Sequence, residues 1–432
     1  MTQRYDTYKD SGVQWLGEIP GHWECTRLKY LTSKIGSGST PTGGSEVYQD
    51  SGVLFLRSQN IYNYGLKLED VAYISEEIHE EMKGTHVKSG DILYNITGGS
   101  IGRCCLAPKS LGKANVNQHV SIVRPSNIEN NYLLYCLQSE YCQLQMRVLQ
   151  TGGNREGLSA TAFKLFNITF PPLSEQRSIV SFLDAKCGKI DEWVTKKQKE
   201  VEHLQELKQR VIADAVTRGL NPHVKMKATN IPWLKEIPEH WENKRLASIF
   251  TDDIETNKDF QYKRAFKFNY GCLVPKNEIG DPEEYRAVYV KYSIVNTGDI
   301  LINGLNLNYD FISQRVACAP SDGIITSAYV VCRPRPNVNY DYYTYLFKAM
   351  DSMKLFHGMG TGIRLTLSFK ELKKQLLPVP PLSEQKQIVS YLDDKTSKID
   401  KLIAHITKEI DCIKEYKQRL ISDVVTGQIK VC

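Results

Sequence analysis

Two long stretches of the chain carry apolar residues at heptad spacing, while the rest carries them in short runs. With Leu183 taken as a d position, the d series continues Ile190, Lys197, Leu204, Val211. The a series reads Val180, Cys187, Val194, Val201, Lys208, Ala215. The second stretch keeps the pattern more strictly, with Leu392, Ile399, Ile406, Ile413, Leu420 at d and Val389, Thr396, Ile403, Ile410, Lys417, Val424 at a. A 3.5-residue apolar period held for about six heptads predicts a coiled-coil seam. Upstream, Pro171-Pro172 blocks an earlier helix start, Ser174 offers a cap, and Glu175 suits the positive end of a helix dipole. Gly188 weakens the first helix by about 1 kcal/mol relative to Ala, so a partner must hold it. Outside the helices, short apolar runs such as 53–56 and 91–94 sit between Gly, Asn, Thr and Tyr. These predict a strand-rich mixed domain with a few helices, one of them over 131–148.

The pattern occurs twice because the sequence does. "PPLSEQRSIVSFLDAKCGKID" from Pro171 and "PPLSEQKQIVSYLDDKTSKID" from Pro380 share fifteen of 21 positions. "WLGEIPGHWE" from Trp15 returns as "WLKEIPEHWE" from Trp233, "SGDIL" from Ser89 as "TGDIL" from Thr297, and "KQRVIADAVT" from Lys208 as "KQRLISDVVT" from Lys417. Arg124-Pro125 returns as Arg333-Pro334. The offset is 218 at the Trp motif and 208 or 209 from Ser89 onward, so the copies differ by about nine residues in between. A period this long is a duplicated domain, not a solenoid. The fold class is α+β, a tandem duplication of a strand-rich mixed domain plus a long helix. The expected segments are 1–172, a helix over 173–220, a linker over 221–232, then 233–380 and a helix over 381–428. One chain with a folded domain between its two helices favours an antiparallel coiled coil with a strand-rich domain at each end. The expected seam residues are Leu183, Ile190, Val194, Val201 and Leu204 against Leu392, Ile399, Ile403, Ile406, Ile410 and Ile413.

The chain has 432 residues, a formal net charge of +6 and eleven cysteines. The mild basic balance is compatible with a polyanion partner without requiring one. The cysteines are scattered, with no Cys-x-x-Cys pair and no zinc-ligand spacing, so free thiols in the cytoplasm are expected. No signal peptide and no run of eighteen apolar residues is present, which points away from a membrane. Phosphate-cradling and dinucleotide-binding glycine patterns are missing; Gly112-Lys113 is followed by Ala114, and "TGGSIGR" from Thr97 precedes no helix-forming run. Asn221-Pro222-His223 is not the Asn/Asp-Pro-Pro-aromatic motif of base-amino methyltransferases and reads as a linker. His22 and His240 lie in the repeated frame, which makes them structural. Asp184, Lys186, Asp394 and Lys395 fall on charged helix faces.

Between the matching landmarks the copies diverge. The first has "GSGSTPTGG", "LRSQNIYNYG", "NITGGSIGR" and "TGGNREGLS"; the second has "QYKRAFKFNYG", "NGLNLNYDFISQR" and "GMGTGIRLTLS". Amide, hydroxyl and guanidinium groups on loops are what base edges and phosphates require. Candidate DNA-contacting residues are therefore Arg57, Ser58, Asn60, Asn95, Thr97, Arg103, Asn154 and Arg155 in the first copy. In the second they are Lys263, Arg264, Lys267, Asn303, Asn306, Arg315 and Arg364. Arg155 and Arg364 occupy equivalent positions after Gly-rich turns, where backbone can approach a phosphate.

The chain resembles the specificity subunits of type I DNA restriction–modification systems. Trp-Leu-x-Glu-Ile-Pro-x-His-Trp opens each half, a variable domain follows, and Pro-Pro-Leu-Ser-Glu-Gln enters a long helix. The resemblance implies two target-recognition domains, each reading one half of a split, asymmetric site in double-stranded DNA. It implies spacer helices that set the gap and dock two adenine-methylating modification subunits, with restriction (motor–nuclease) subunits joining them. It implies a non-catalytic chain with no cofactor or metal, S-adenosylmethionine, ATP and Mg belonging to the partners. Two other readings stay open: a recognition subunit for a single-chain restriction–methylation enzyme, and a coiled-coil scaffold that binds no DNA.

Overall fold

The computed structural model describes residues 3–150, 157–276, 281–363 and 365–431. It divides into two compact units, one of residues 1–198 with 408–432, the other of residues 199–407. The long helices run Leu173–Arg218 and Leu382–Val425. Each unit therefore holds one strand-rich domain, the N-terminal part of the helix that follows that domain, and the C-terminal part of the other helix.

In the first unit a four-stranded antiparallel sheet has the order Cys104–Leu106, Ile92–Asn95, Val120–Pro125, Thr32–Ser37. A three-stranded sheet adds Ala114–Val116 parallel to Val53–Leu56, itself antiparallel to Ala72–Ile74. The second unit repeats the first of these in the same order: Val316–Cys318, Ile300–Ile302, Val330–Pro334, Phe250–Thr251. In each copy a buried carboxylate ties two of these strands. Asp91 takes Arg124 Nε at 2.7 Å and the Lys88 amide; Asp299 takes Arg333 Nη2 at 2.9 Å and the Asn296 amide. The repeated Gly-Asp-Ile-Leu and Arg-Pro landmarks are the two sides of one buried ion pair.

The other repeated landmarks also meet. Glu175 accepts from Trp23 Nε1 at 2.9 Å and from Tyr5 Oη at 3.2 Å, and lies 2.6 Å from His22 Nε2. Glu384 accepts from Trp241 Nε1 at 3.0 Å and lies 2.7 Å from His240 Nε2. Gln176 and Gln385 donate to the carbonyls of Pro171 and Pro380. The His-Trp pair and the Ser-Glu-Gln entrance thus recur together because they form one joint. Ser174 is not the cap: the helix begins at Leu173, so Ser174 lies inside its first turn. The helix predicted over 131–148 is two helices, Asn130–Gln138 and Glu140–Leu149, broken where Ser139 is extended and its hydroxyl bonds the Cys136 carbonyl.

Within each unit the helix segments run antiparallel. In the first, Leu183 and Cys187 share a core with Leu420, Ile421 and Val424, and Asp191 pairs with Lys417 at 2.7 Å. In the second, Ala215 and Val216 share a core with Ile388 and Leu392, and Lys208 pairs with Asp400 at 2.7 Å. The helix ends are held alike. Tyr132 Oη donates to the Val425 carbonyl in the first unit, and Tyr342 Oη to the Val216 carbonyl in the second. These bonds satisfy carbonyls that a helix C-terminus leaves without partners. Of the expected seam residues, Leu183, Val194, Leu392, Ile406 and Ile410 are buried. Ile190, Val201, Leu204, Ile399, Ile403 and Ile413 are half-buried, so none faces solvent outright.

Candidate nucleic-acid interface

The first unit presents two polar groupings on its divergent loops. A tight hairpin, Ile61–Tyr62 against Gly65–Leu66, turns at Gly65 with φ 135°, which an L side chain resists. It stacks Tyr62 on Tyr64 at 5.0 Å between centroids, and Arg103 lies over Tyr62 at 5.1 Å. Tyr64 is 78% exposed, so its ring is offered outward. Nearby in sequence order, Thr40 donates to Gln118, whose amide nitrogen lies 3.1 Å from His119 Nε2, and His119 Nδ1 lies 2.7 Å from the Thr97 hydroxyl. This chain of hydroxyl, amide and imidazole groups is the donor–acceptor set that base edges take.

Other candidates of this unit turn inward. Asn60 is buried, taking the Arg57 amide and donating to the Lys67 carbonyl, so it braces the hairpin base. Asn95 is buried and donates to the Ser58 carbonyl and Ser100 hydroxyl, joining the sheet edge to the same loop. Arg57 is half-buried and donates to the Asp70 carbonyl at 2.9 Å. Ser58 is half-buried beside it. Asn154 and Arg155 lie outside the described residues, as does Arg364 of the second copy.

In the second unit, Lys263, Arg264 and Lys267 are exposed around the hairpin Phe266–Asn269 and Cys272–Pro275. Lys263 pairs with Glu283 at 3.0 Å, and Arg264 donates to the Ser321 hydroxyl at 3.2 Å. Arg315 is fully buried. Its guanidinium donates to the carbonyls of Asn303, Leu305 and Asp310, so it holds a loop and has no face left for a ligand. Asn303 caps the start of that loop by accepting the Leu305 amide, while Asn306 is exposed with φ 51°. The Ser313 hydroxyl and amide, with the Ile312 amide, hold the Asp310 carboxyl down at about 2, so the loop keeps its anionic cap at any ordinary pH.

Tyr62, Tyr64, Thr40, Gln118 and His119 were not among the expected residues, though "LRSQNIYNYG" carried a signal in its Tyr-Asn-Tyr tip. In the second unit Tyr270, Tyr309, Phe311, Ile312 and Ile363 are exposed on loops and were likewise not anticipated. Burial pushes the Cys25, Cys136, Cys187 and Cys318 thiols up to about 11 and Cys105 up to about 12, leaving them poor nucleophiles. Among the described residues no cluster of three or more His, Cys, Asp or Glu is placed to hold a metal ion, and no helix is long and apolar enough to cross a membrane.

The type I specificity subunit MjaVIII of Methanocaldococcus jannaschii is 25% identical over 439 residues, covering 96% of this chain and 94% of its own. That of EcoKI from Escherichia coli is 20% identical over 448 residues, covering 96% and 90%. A solved structure from work on complex assembly and conformational transition in a type I restriction–modification system superposes with a TM-score of 0.67 at 16% identity. It covers 94% of this chain and 98% of its own, and supports the fold. The model for the type I restriction modification DNA specificity domain matches residues 20–203 and again 238–411. Those two matches take in well over half the sequence, and they fall on the two copies of the repeated frame, so the chain belongs to the type I restriction modification DNA specificity family.

Proposed function

We propose that this chain is the DNA-reading, non-catalytic subunit of a type I restriction–modification assembly, each target-recognition domain reading one half of a split, asymmetric site. The observation that carries this is a single framework used twice with different loop chemistry. The sheet order, the buried ion pair and the Trp–Glu joint recur, whereas the loops around them differ: Thr40, Tyr64, Gln118 and His119 in one copy, and Lys263, Arg264 and Lys267 beside exposed apolar groups such as Ile312 in the other. Two different readers on one frame suit a target whose halves differ. The paired helices would set the gap and dock two adenine-methylating subunits, with motor–nuclease subunits joining for restriction. S-adenosylmethionine, ATP and Mg would be held by those partners. Replacing residues 233–379 by the corresponding domain of another such subunit tests the reading. Methylation mapping should show one half-site changed and the other kept. If both half-sites changed together, the two-reader account would be wrong.

A further inference from the structure

Three loops of the second unit, distant in sequence, converge and hold large apolar side chains in solvent. Tyr270 at a hairpin tip is 87% exposed, Tyr309 79%, Ile312 94% and Ile363 98%. The loops touch. Asn308 Nδ2 donates to the Ile363 carbonyl at 3.4 Å, the Leu307 amide to the Leu365 carbonyl at 3.3 Å, and Gly271 packs so closely on Gln314 that a Cβ there would come within 2.5 Å of its Oε1. They are also held rigid. The buried Arg315 guanidinium grips three carbonyls of the middle loop, and Phe311 stacks on His357 at 4.6 Å. Each loop keeps at least one non-glycine residue in the left-handed region: Tyr270 at φ 45°, Asn306 at 51°, and Lys354 at 59° with Leu365 at 41°. Such conformations persist where the surroundings over-determine them, often at functional sites.

Soluble chains seldom leave so much apolar surface together without an occupant. The local charge identifies the occupant as a polyanion. Among the described residues of segments 261–276, 303–316 and 353–363, Lys263, Arg264, Lys267, Lys276 and Lys354 are exposed or half-buried, against the acidic Asp310 and the Glu283 that pairs with Lys263. A polyanion that also has apolar groups to offer is duplex DNA. In its major groove the thymine 5-methyl is the apolar group among base-edge donors and acceptors. Resting on the DNA-reading function above, we propose that Ile312 and Ile363 recognise thymine methyl groups in the second half-site.

The test uses the chain assembled with its methyltransferase subunits, after its site is mapped from methylated DNA. Each thymine of the second half-site is replaced in turn by deoxyuridine, which deletes only the methyl, and Kd is measured. At one position or more, binding should weaken about threefold to tenfold per methyl lost. The Ile312→Ser, Ile363→Ser double variant should bind thymine and uracil duplexes alike. Both side chains are almost wholly exposed, so the variant leaves the core intact, and the uracil arm needs no variant at all. A second half-site without thymine, no uracil effect at any position, or a variant that keeps the full uracil penalty would each overturn the proposal. So would failure of the variant to assemble with its methyltransferase subunits, which would make the patch a protein-docking surface. If the swap of residues 233–379 leaves the second half-site unaltered, the DNA-reading account itself fails. If the swap alters it and uracil has no effect, only the methyl recognition fails.

Discussion

Glu175 is the acceptor for a buried Trp23 N–H, a Tyr5 hydroxyl and His22, so Glu175→Ala strips several donors of their partner at once. Leaving a buried N–H unpaired costs about 1–3 kcal/mol, and urea denaturation should show a loss of that order; an unchanged midpoint would remove the joint from the list of what holds the domain to its helix. Its pH dependence has a definite sign. Partial burial pushes the Glu175 carboxyl up, but hydrogen bonds from Trp23 and His22 and the His22 charge outweigh it and hold it below its ordinary value of 4.5. The stabilisation is therefore complete above that value and fades as pH falls through the lower folded-state value, so wild type and variant should converge in acid. This joint was half legible in the sequence, since His22 and His240 fell in the repeated frame and read as structural. What could not be read was the direction of an amide. Asn60, Asn95 and Asn306 have the same chemistry, yet the first two are drawn inside by the Lys67 and Ser58 carbonyls while the third faces out. Only tertiary neighbours decide that, and Arg315, read as a phosphate or base contact, is claimed by three carbonyls for the same reason.

At the scale of elements, the helix seam was legible because a 3.5-residue period constrains which face is apolar over many turns. Lys208 and Lys417 interrupted that seam at a positions, and the structure accounts for them: each meets an aspartate from the other copy's helix, Asp400 and Asp191. The aspartates of these pairs are exposed and the lysines half-buried, so each pair contributes roughly 0.2–1 kcal/mol. Their value lies in choosing the partner segment, since a Lys left without its Asp in an apolar seam disfavours other alignments. In the double-mutant cycle of Asp191→Lys and Lys417→Asp, each single reversal should lower the midpoint of unfolding and the double reversal should restore most of it. Strictly additive losses would mean the pair makes no specific contribution. The tyrosines on the neighbouring domain repeat the device, Tyr135 donating to Asp184 at 2.6 Å and Tyr345 to Asp393 at 2.7 Å. Strand existence was legible from short apolar runs, but strand order was not. Pairings such as Ile92–Asn95 with Val120–Pro125 join residues far apart in sequence, and no local pattern specifies such neighbours.

For the molecule as a whole, the duplication gives the two compact units boundaries at matching places: 198/199 in the first long helix and 407/408 in the second, 209 residues apart, the offset of the repeat. Gln198, Lys199, Thr407 and Lys408 are all exposed, so extra residues there disturb no core. That makes these boundaries the place to test the proposal that the helices set the distance between half-sites. By contrast, an insertion near Val216 would break a fully buried contact, the bond from Tyr342 Oη to the Val216 carbonyl. Four residues added at both boundaries lengthen each helix by about 6 Å, slightly more than one helical turn. In a heptad seam this is a stutter, which unwinds the coil locally and leaves it paired. With about 3.4 Å of rise per base pair, the gap in the recognised site should grow by one or two base pairs while both half-sites stay the same. Methylation mapping in cells carrying the lengthened chain with its methyltransferase subunits measures it directly. An active variant with an unaltered gap would show that something other than the helix pair fixes the distance. A changed half-site would show that the readers are not independent of it.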